Sequence, residues 1–261
     1  MRARTIRKIL LVAAGSVFLF SSSMVLKHRL EMRAGAEQSE VVAQMAVVPS
    51  AEQPENIIEE ETVDETVEIA PIQVNFDALR AKNQDVIAWL YCPDTPINYP
   101  VVQASDNEFY LHRLLDGSKN PGGTLFMDYR NAADLSDWNS VIYGHNMIND
   151  SMFGSLTDYQ AQSYFEAHPQ MFLLTPEKDY KVEIVAGCRT SANSEVYSTF
   201  IPNEEEKVRL MERWLDASDF VSGYDLAAED RLLTLSTCSY EDSDARYVLI
   251  GSLKELDAAQ K

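Results

Sequence analysis

Residues 232–250 impose the strongest constraint on how this chain can fold. An apolar run leads to Cys238, and a polar, turn-prone segment of residues 239–244 follows it. A second apolar run begins directly after Arg246. Apolar runs of this length, separated by a turn-prone segment, predict a strand, a loop and a second strand. We therefore expect Cys238 and Arg246 to lie at adjoining ends of two neighbouring strands.

The residue types at these strand ends point to nucleophilic chemistry. A fixed positive charge beside a cysteine favours the thiolate, and a guanidinium keeps its charge. Another predicted strand, 140–144, ends next to His145, whose imidazole can carry a proton near neutral pH. A nucleophile, a proton carrier and a stabiliser of negative charge on oxygen are together sufficient for acyl transfer. These residues alone do not decide whether water or an amine accepts the acyl group.

The charge balance and the cysteine content argue against two other classes of protein. The 261 residues include 41 Asp and Glu but only 22 Lys and Arg, which gives a formal net charge of −19. Nucleic-acid binding needs clustered basic residues, so such a partner is not expected. Three cysteines are too few, and odd in number, for a disulfide framework. Cys92 and Cys188 are predicted to be structural.

No metal centre is predicted from the sequence. No spacing of Cys and His residues suits zinc. Asp128 and Asp134 have the ligand chemistry that calcium prefers, but a solvated loop is the default interpretation of both. His112, next to Arg113 on a short predicted helix, is expected at the surface.

The N-terminal part divides into an anchor and a linker. Residues 9–26 contain no charged side chain and follow a basic tip, a pattern typical of a membrane-spanning helix with a cytoplasmic N-terminus. A cleaved signal peptide is the main alternative, and a buried core helix is a weaker one. Residues 37–70 hold ten acidic residues and no Lys or Arg, which predicts a solvated spacer. We therefore expect a cytoplasmic tip and membrane anchor over 1–30, an acidic flexible linker over 31–72 and a catalytic domain over 73–261.

The rest of the chain predicts a mainly β domain with few helices. Asn75 can cap a helix over residues 75–90, and residues 204–217 form the clearest helix, with Asn203 as its N-cap. Many short strands with turn signals and few helices favour a β-barrel to which helices are added. Besides the last two strands, apolar segments between turn-forming residues predict strands at 97–102, 124–128, 140–144, 171–175 and 180–190.

Several segments resemble a known enzyme family. YGHNM at 143–147, TLSTC at 234–238 and Arg246, eight residues after the cysteine, together resemble a sortase, more specifically one of class B. Similarity extends in order over roughly residues 74–253, for example through GGTLFMDYRN at 122–131.

The resemblance carries expectations for fold and activity. Class B sortases are membrane-anchored cysteine transpeptidases of Gram-positive bacteria. The implied fold is an eight-stranded β-barrel with N-terminal helices and one long helix before the last two strands. The implied enzyme cleaves a C-terminal sorting motif of surface proteins through a Cys thioester, and transfers the acyl group to an amine of the cell wall or of a pilin. No cofactor is implied, and the expected location is the cell membrane, with a single span and an extracellular catalytic domain.

The resemblance also assigns roles to individual residues. It implies that Cys238 is the nucleophile, His145 the general acid and base, and Arg246 the residue that positions the oxyanion and the substrate. Two alternatives stay open at this point: a cysteine hydrolase that passes the acyl group to water, and a tethered binding module without catalysis. The residues implied to line the peptide groove are Asn107, Leu111, Ser236 and Tyr197.

Overall fold

The fold is given by a computed structural model that describes residues 2–49, 69–238 and 244–256. The N-terminal part is one long helix, α1 (Arg2–Ala46). A small antiparallel sheet follows, made of β1 (Val47–Pro49) and β2 (Ile72–Val74). In the described part of the chain, no helix combines the length and the apolar character needed to cross a membrane.

The end of α1 is attached to the domain. Val42 and Ala46 are buried in a cluster that also contains Phe76, and the amide of Asn75 donates to Ala46 O at 2.8 Å. The segment 31–46, for which the sequence predicted a flexible linker, is therefore helical and packed at its end. The apolar side chains near the end of this segment explain the packing, because burying them against the domain is more favourable than leaving them exposed to solvent. The part of the predicted linker over residues 50–68 lies outside the described residues.

The predicted helix over residues 75–90 is wrong in its second half. Asn75 does cap a helix, α2 (Phe76–Lys82), by accepting a hydrogen bond from the amide of Ala78 at 2.9 Å. The following apolar residues form a strand, β3 (Val86–Tyr91), that pairs with two neighbouring strands. This segment is rich in β-branched and aromatic residues, and the two pairing partners override its helix-like spacing.

A closed barrel of eight strands forms the centre of the domain, which confirms the predicted mainly β fold. The order around the barrel is β10-β8-β7-β3-β4-β5-β6-β9, and β9 closes it by pairing with β10. The β4–β5 and β6–β9 pairs are parallel and the others are antiparallel. After β3, the barrel strands are β4 (Asn98–Val102), β5 (Leu125–Met127), β6 (Asn139–Gly144), β7 (Gln170–Leu174), β8 (Asp179–Ser191), β9 (Leu232–Cys238) and β10 (Ala245–Glu255).

Two further helices follow β6 in the chain. The shorter is α3 (Gln162–Ala167), and the longer is α4 (Glu204–Asp216), which precedes the last two strands as predicted. Asn203 caps α4 by accepting a hydrogen bond from the amide of Glu205 at 2.9 Å. Three glutamates in the first turn of α4 suit the positive end of the helix dipole.

Strand alternation separates two apolar layers. Along β9, Leu233 and Leu235 join the cluster that fills the barrel, whereas Leu232 belongs to a second cluster beneath α4. That second cluster includes Met211 and Trp214 of α4. The outer face of β9 is therefore covered by the α4 side of the molecule, and the polar residues of that face are buried as well.

Candidate active site

Three adjacent strands carry the residues predicted to be catalytic. β9 lies between β6, to which it is parallel, and β10, to which it is antiparallel. Arg246 lies directly opposite Cys238. Gly144 lies opposite Thr237, so His145 follows one residue beyond the last registered pair. The backbones of all three predicted positions thus meet at one edge of the barrel. The side chain of Cys238, and the loop after it, lie outside the described part of the chain.

Alternation places these positions on one face. Val248 of β10 and Val141 of β6 both pack in the layer beneath α4. Arg246 is two residues from Val248, and His145 is four residues from Val141. An even spacing along a strand keeps residues on one face, so Arg246 and His145 share the outward face of these valines. Residues directly paired in antiparallel strands share a face, which assigns position 238 to that face as well.

His145 is oriented by the 3-10 turn Tyr110–His112. Its Nε2 lies 2.7 Å from the carbonyl oxygen of Leu111. Because a carbonyl only accepts, Nε2 carries the proton of this bond, and Nδ1 is the basic nitrogen of the neutral ring. The His112 ring stacks on that of His145, with centroids 5.5 Å apart. Burial lowers the pKa of His145, the His112 charge lowers it further, and the bond to Leu111 partly opposes both.

The Arg246 side chain is half-buried at the start of β10. Its Nη1 donates to the carbonyl oxygen of Ala245 at 3.0 Å. β8 flanks it on the other side, where Thr190 is its register partner. A delocalised cation in this position can donate several hydrogen bonds in a fixed plane.

Two of the predicted peptide-groove residues contact each other. The hydroxyl groups of Tyr197 and Ser236 lie 2.9 Å apart, and both side chains are buried. Ser236 is two residues before Cys238 and belongs to the same face of β9. Tyr197 lies in the 3-10 turn Glu195–Tyr197, between β8 and α4.

The other two predicted groove residues lie in the segment between β4 and β5. Leu111 is half-buried and supplies the carbonyl that His145 contacts. Asn107 Oδ1 accepts a hydrogen bond from the amide of Tyr129 at 3.0 Å, so this side chain ties its segment to the turn after β5. Of the four residues, Tyr197 and Ser236 contact each other, Leu111 contacts His145, and Asn107 contacts the turn after β5.

An ion pair beneath this site was not predicted from the sequence. Asp128, for which a solvated loop was the default interpretation, is fully buried and paired with Arg130. Burial alone would raise the pKa of its carboxyl, but hydrogen bonds from Arg130 and Tyr143 outweigh burial, and the pKa is lowered. No group of three or more His, Cys, Asp or Glu residues able to hold a metal occurs among the described residues. The sequence signal for this ion pair was that Asp128 and Arg130 lie two residues apart directly after an apolar strand.

The remaining cysteines, Cys92 and Cys188, are both buried. Cys188 belongs to the layer beneath α4, and burial raises the pKa of its thiol to about 11. Burial likewise raises the pKa of Cys92, whose Sγ is 3.9 Å from the Tyr159 hydroxyl. A raised pKa disfavours the reactive thiolate, as expected for structural cysteines.

Comparisons with known proteins identify the family. The family model of the sortase domain matches residues 90–254, which is more than half of the chain. Sortase B of Listeria monocytogenes is 34% identical over 177 residues, which cover 67% of this chain and 72% of that protein. These matches define the chain as a sortase-domain protein, and the chain belongs to the sortase family.

Solved structures narrow the assignment. Sortase B from B. anthracis is 28% identical, with a TM-score of 0.71 over 86% of this chain and 98% of that one. A Staphylococcus aureus sortase B–substrate complex is 27% identical, with a TM-score of 0.67 over 70% of this chain and 85% of that one. A sortase B solved with triglycine is also 27% identical, with a TM-score of 0.67 over 70% and 86%. The chain is a class B sortase.

This membership establishes the activity. The chain is a cysteine transpeptidase that acts on sorting motifs, and the hydrolase and the catalytically silent binding module are not favoured. Transpeptidation requires a peptide substrate and an amine acceptor. The sortase family acts in anchoring proteins at the cell surface.

Proposed function

We propose that Cys238, His145 and Arg246 carry out the transpeptidation. The main support is the strand register, in which Arg246 is the direct partner of Cys238 and His145 continues the strand on the other side of β9. A second support is the alternation that gives the three positions one common face.

The first half of the proposed reaction forms a thioester. The thiolate of Cys238 attacks the carbonyl carbon of the scissile peptide bond, and Arg246 donates hydrogen bonds to the resulting oxyanion. The C–N bond then breaks, and His145 gives the proton on Nδ1 to the departing amine. The lowered pKa of His145 makes its protonated form a stronger acid for this step.

The second half transfers the acyl group to a new amine. The neutral Nδ1 of His145 takes a proton from the attacking amine, the new C–N bond forms, and the Cys238 thiolate leaves. We propose a glycine-type amino group as the acceptor, because a relative has been solved with triglycine. The sorting peptide is proposed to contact Asn107, Leu111, Ser236 and Tyr197.

The direct test uses residues 31–261 with candidate sorting peptides. Mass spectrometry should detect a thioester on Cys238, and added triglycine should divert the product from the free acid to the amide. The substitution Cys238→Ala should abolish both products, and Cys188→Ala is the matched control because that thiol is buried. Turnover that survives in Cys238→Ala would reject the assigned nucleophile.

We further propose that residues 1–30 hold the enzyme in the membrane by a single span, with the N-terminus in the cytoplasm. The support is the uncharged stretch 9–26 and the basic residues before it. In this division, residues 31–72, whose helical part packs on the domain at its end, connect the anchor to a catalytic domain over 73–261 outside the cell. Cell fractionation should find the full chain in the membrane and a chain without 1–30 outside it. Deletion of 50–68 is the control, and it should leave the chain in the membrane fraction.

A further inference from the structure

Three consecutive carbonyl groups are held by side chains from β6 and from the turn before it. Asn139 Nδ2 donates to Val196 O at 2.8 Å and to Ser198 O at 3.2 Å. Arg130 Nη2 donates to the carbonyl between them, that of Tyr197, at 3.3 Å. The backbone on both sides of the Tyr197 side chain is therefore fixed from outside its own element.

Arg130 is in turn oriented by Asp128. Its Nε and Nη2 donate to Oδ1 and Oδ2 of Asp128 at 2.9 and 2.7 Å. The Tyr143 hydroxyl donates to the same Oδ2 at 2.8 Å. Asp128 is 0% exposed, so its charge depends on these partners, and the two-pronged contact sets the plane of the guanidinium.

Tyr197, whose backbone is held by Arg130 and Asn139, contacts β9, the strand that carries Cys238. The Tyr197 ring stacks on Tyr143 at 6.0 Å, and its hydroxyl contacts Ser236 on β9. We infer that Arg130, oriented by Asp128, is a positioning residue that fixes Tyr197 against β9 for binding of the sorting peptide. This role rests on the proposed function, because it presumes that the peptide lies against Tyr197 and Ser236.

Arg130→Lys is the informative substitution. A lysine keeps a positive charge for Asp128, so folding is expected to persist, but one ammonium cannot keep the planar two-pronged contact and also hold Tyr197 O. The KM for a sorting peptide should rise about tenfold, the size expected for loss of a charge-assisted hydrogen bond. The kcat should stay within about twofold, because the reacting groups are untouched.

The chain offers a matched control. Arg213 of α4 forms an exposed ion pair with Glu195, which lies in the same 3-10 turn as Tyr197. Arg213→Lys makes the same chemical change next to the same turn without touching its carbonyl groups. We expect its KM to equal that of the wild type, since exposed pairs contribute little.

A second measurement needs no substrate. Hydrogen exchange by mass spectrometry should show faster exchange of residues 194–201 in Arg130→Lys but not in Arg213→Lys. Should Arg130→Lys fail to fold, the double variant Asp128→Asn with Arg130→Gln removes both charges together and should show the same faster exchange and raised KM.

The outcomes separate the two proposals. An active wild type whose KM and exchange do not change in Arg130→Lys would overturn the positioning role. Faster exchange with an unchanged KM would also overturn it, because the contact between Arg130 and Tyr197 would then stabilise the fold without affecting peptide binding. A wild type that cleaves no sorting peptide would instead overturn the proposed function on which the role rests.

Discussion

At the scale of single residues, the protonation of His145 depends on its surroundings. Burial and the neighbouring His112 hold its pKa below the usual value of about 6.5. Near and below that value the unfolded chain binds more protons at this site than the folded chain does. The stability that His145 contributes is therefore complete above pH 6.5 and is lost as the pH falls through the folded-state pKa.

His112→Gln should raise the pKa of His145 towards its usual value, because the substitution removes a nearby positive charge but keeps a polar side chain. An NMR titration of the imidazole resonances measures this directly. His168→Gln is the control, since the His168 ring packs against Tyr164 instead, at 4.5 Å. A His145 pKa that does not respond to His112→Gln would show that the stacked pair has no electrostatic consequence.

Gly123→Ala should displace the carbonyl that orients His145. Gly123 has φ +61°, and a Cβ there would lie 2.5 Å from Leu111 O and 2.7 Å from Tyr110 O. We expect kcat to fall by roughly tenfold or more through poorer proton transfer, and the free energy of unfolding to fall by about 1–3 kcal/mol.

The control for this prediction is Gly117→Ala. Gly117 also has positive φ, +80°, but its Cβ position meets nothing within 4 Å. Gly117→Ala should lower the free energy of unfolding, measured with urea, by about 1 kcal/mol through backbone strain, and it should leave kcat unchanged. Equal kcat losses in the two variants would contradict the role of the Leu111 carbonyl.

At the scale of elements, the sequence correctly predicted those helices and strands whose conformation depends on neighbouring residues in the chain. The cap and the apolar face predicted α4, and the strand, loop and strand pattern predicted β9 and β10. The segment after Asn83 was missed because strand pairing with β4 and β7 decides its conformation, and a single sequence does not show those partners. The hydrogen bonds that fix the backbone around Tyr197 were missed for a related reason, since they join Arg130 and Asn139 to a turn that is distant in the chain.

The end of α1 should contribute to the stability of the domain. Val42 and Ala46 are 4% and 1% exposed, whereas the side chains of residues 13–30 are exposed. A chain that lacks residues 1–48 should lose about 2–4 kcal/mol of unfolding free energy relative to one that lacks 1–30, because these apolar side chains lose their burial. Urea unfolding of the two deletions measures the difference, and equal midpoints would show that α1 does not stabilise the barrel.

At the scale of the whole molecule, the net charge of −19 should influence which peptides arrive fastest. A negative field attracts cationic substrates, and added salt screens it. A sorting peptide flanked by two lysines should have a kcat/KM about fivefold above that of the same peptide flanked by two glutamates at low ionic strength. The ratio should approach one at roughly 0.5 M NaCl, and a ratio independent of salt would contradict the attraction.

The pairing of β9 between β6 and β10 has a consequence for biosynthesis. The histidine-bearing segment leaves the ribosome well before the cysteine, and the arginine follows later still. Arg246 can pair with position 238 only after β10 has been translated and has closed the barrel by pairing with β9. Under the roles proposed for these three residues, acyl transfer is expected only from the completed barrel and not from a growing polypeptide.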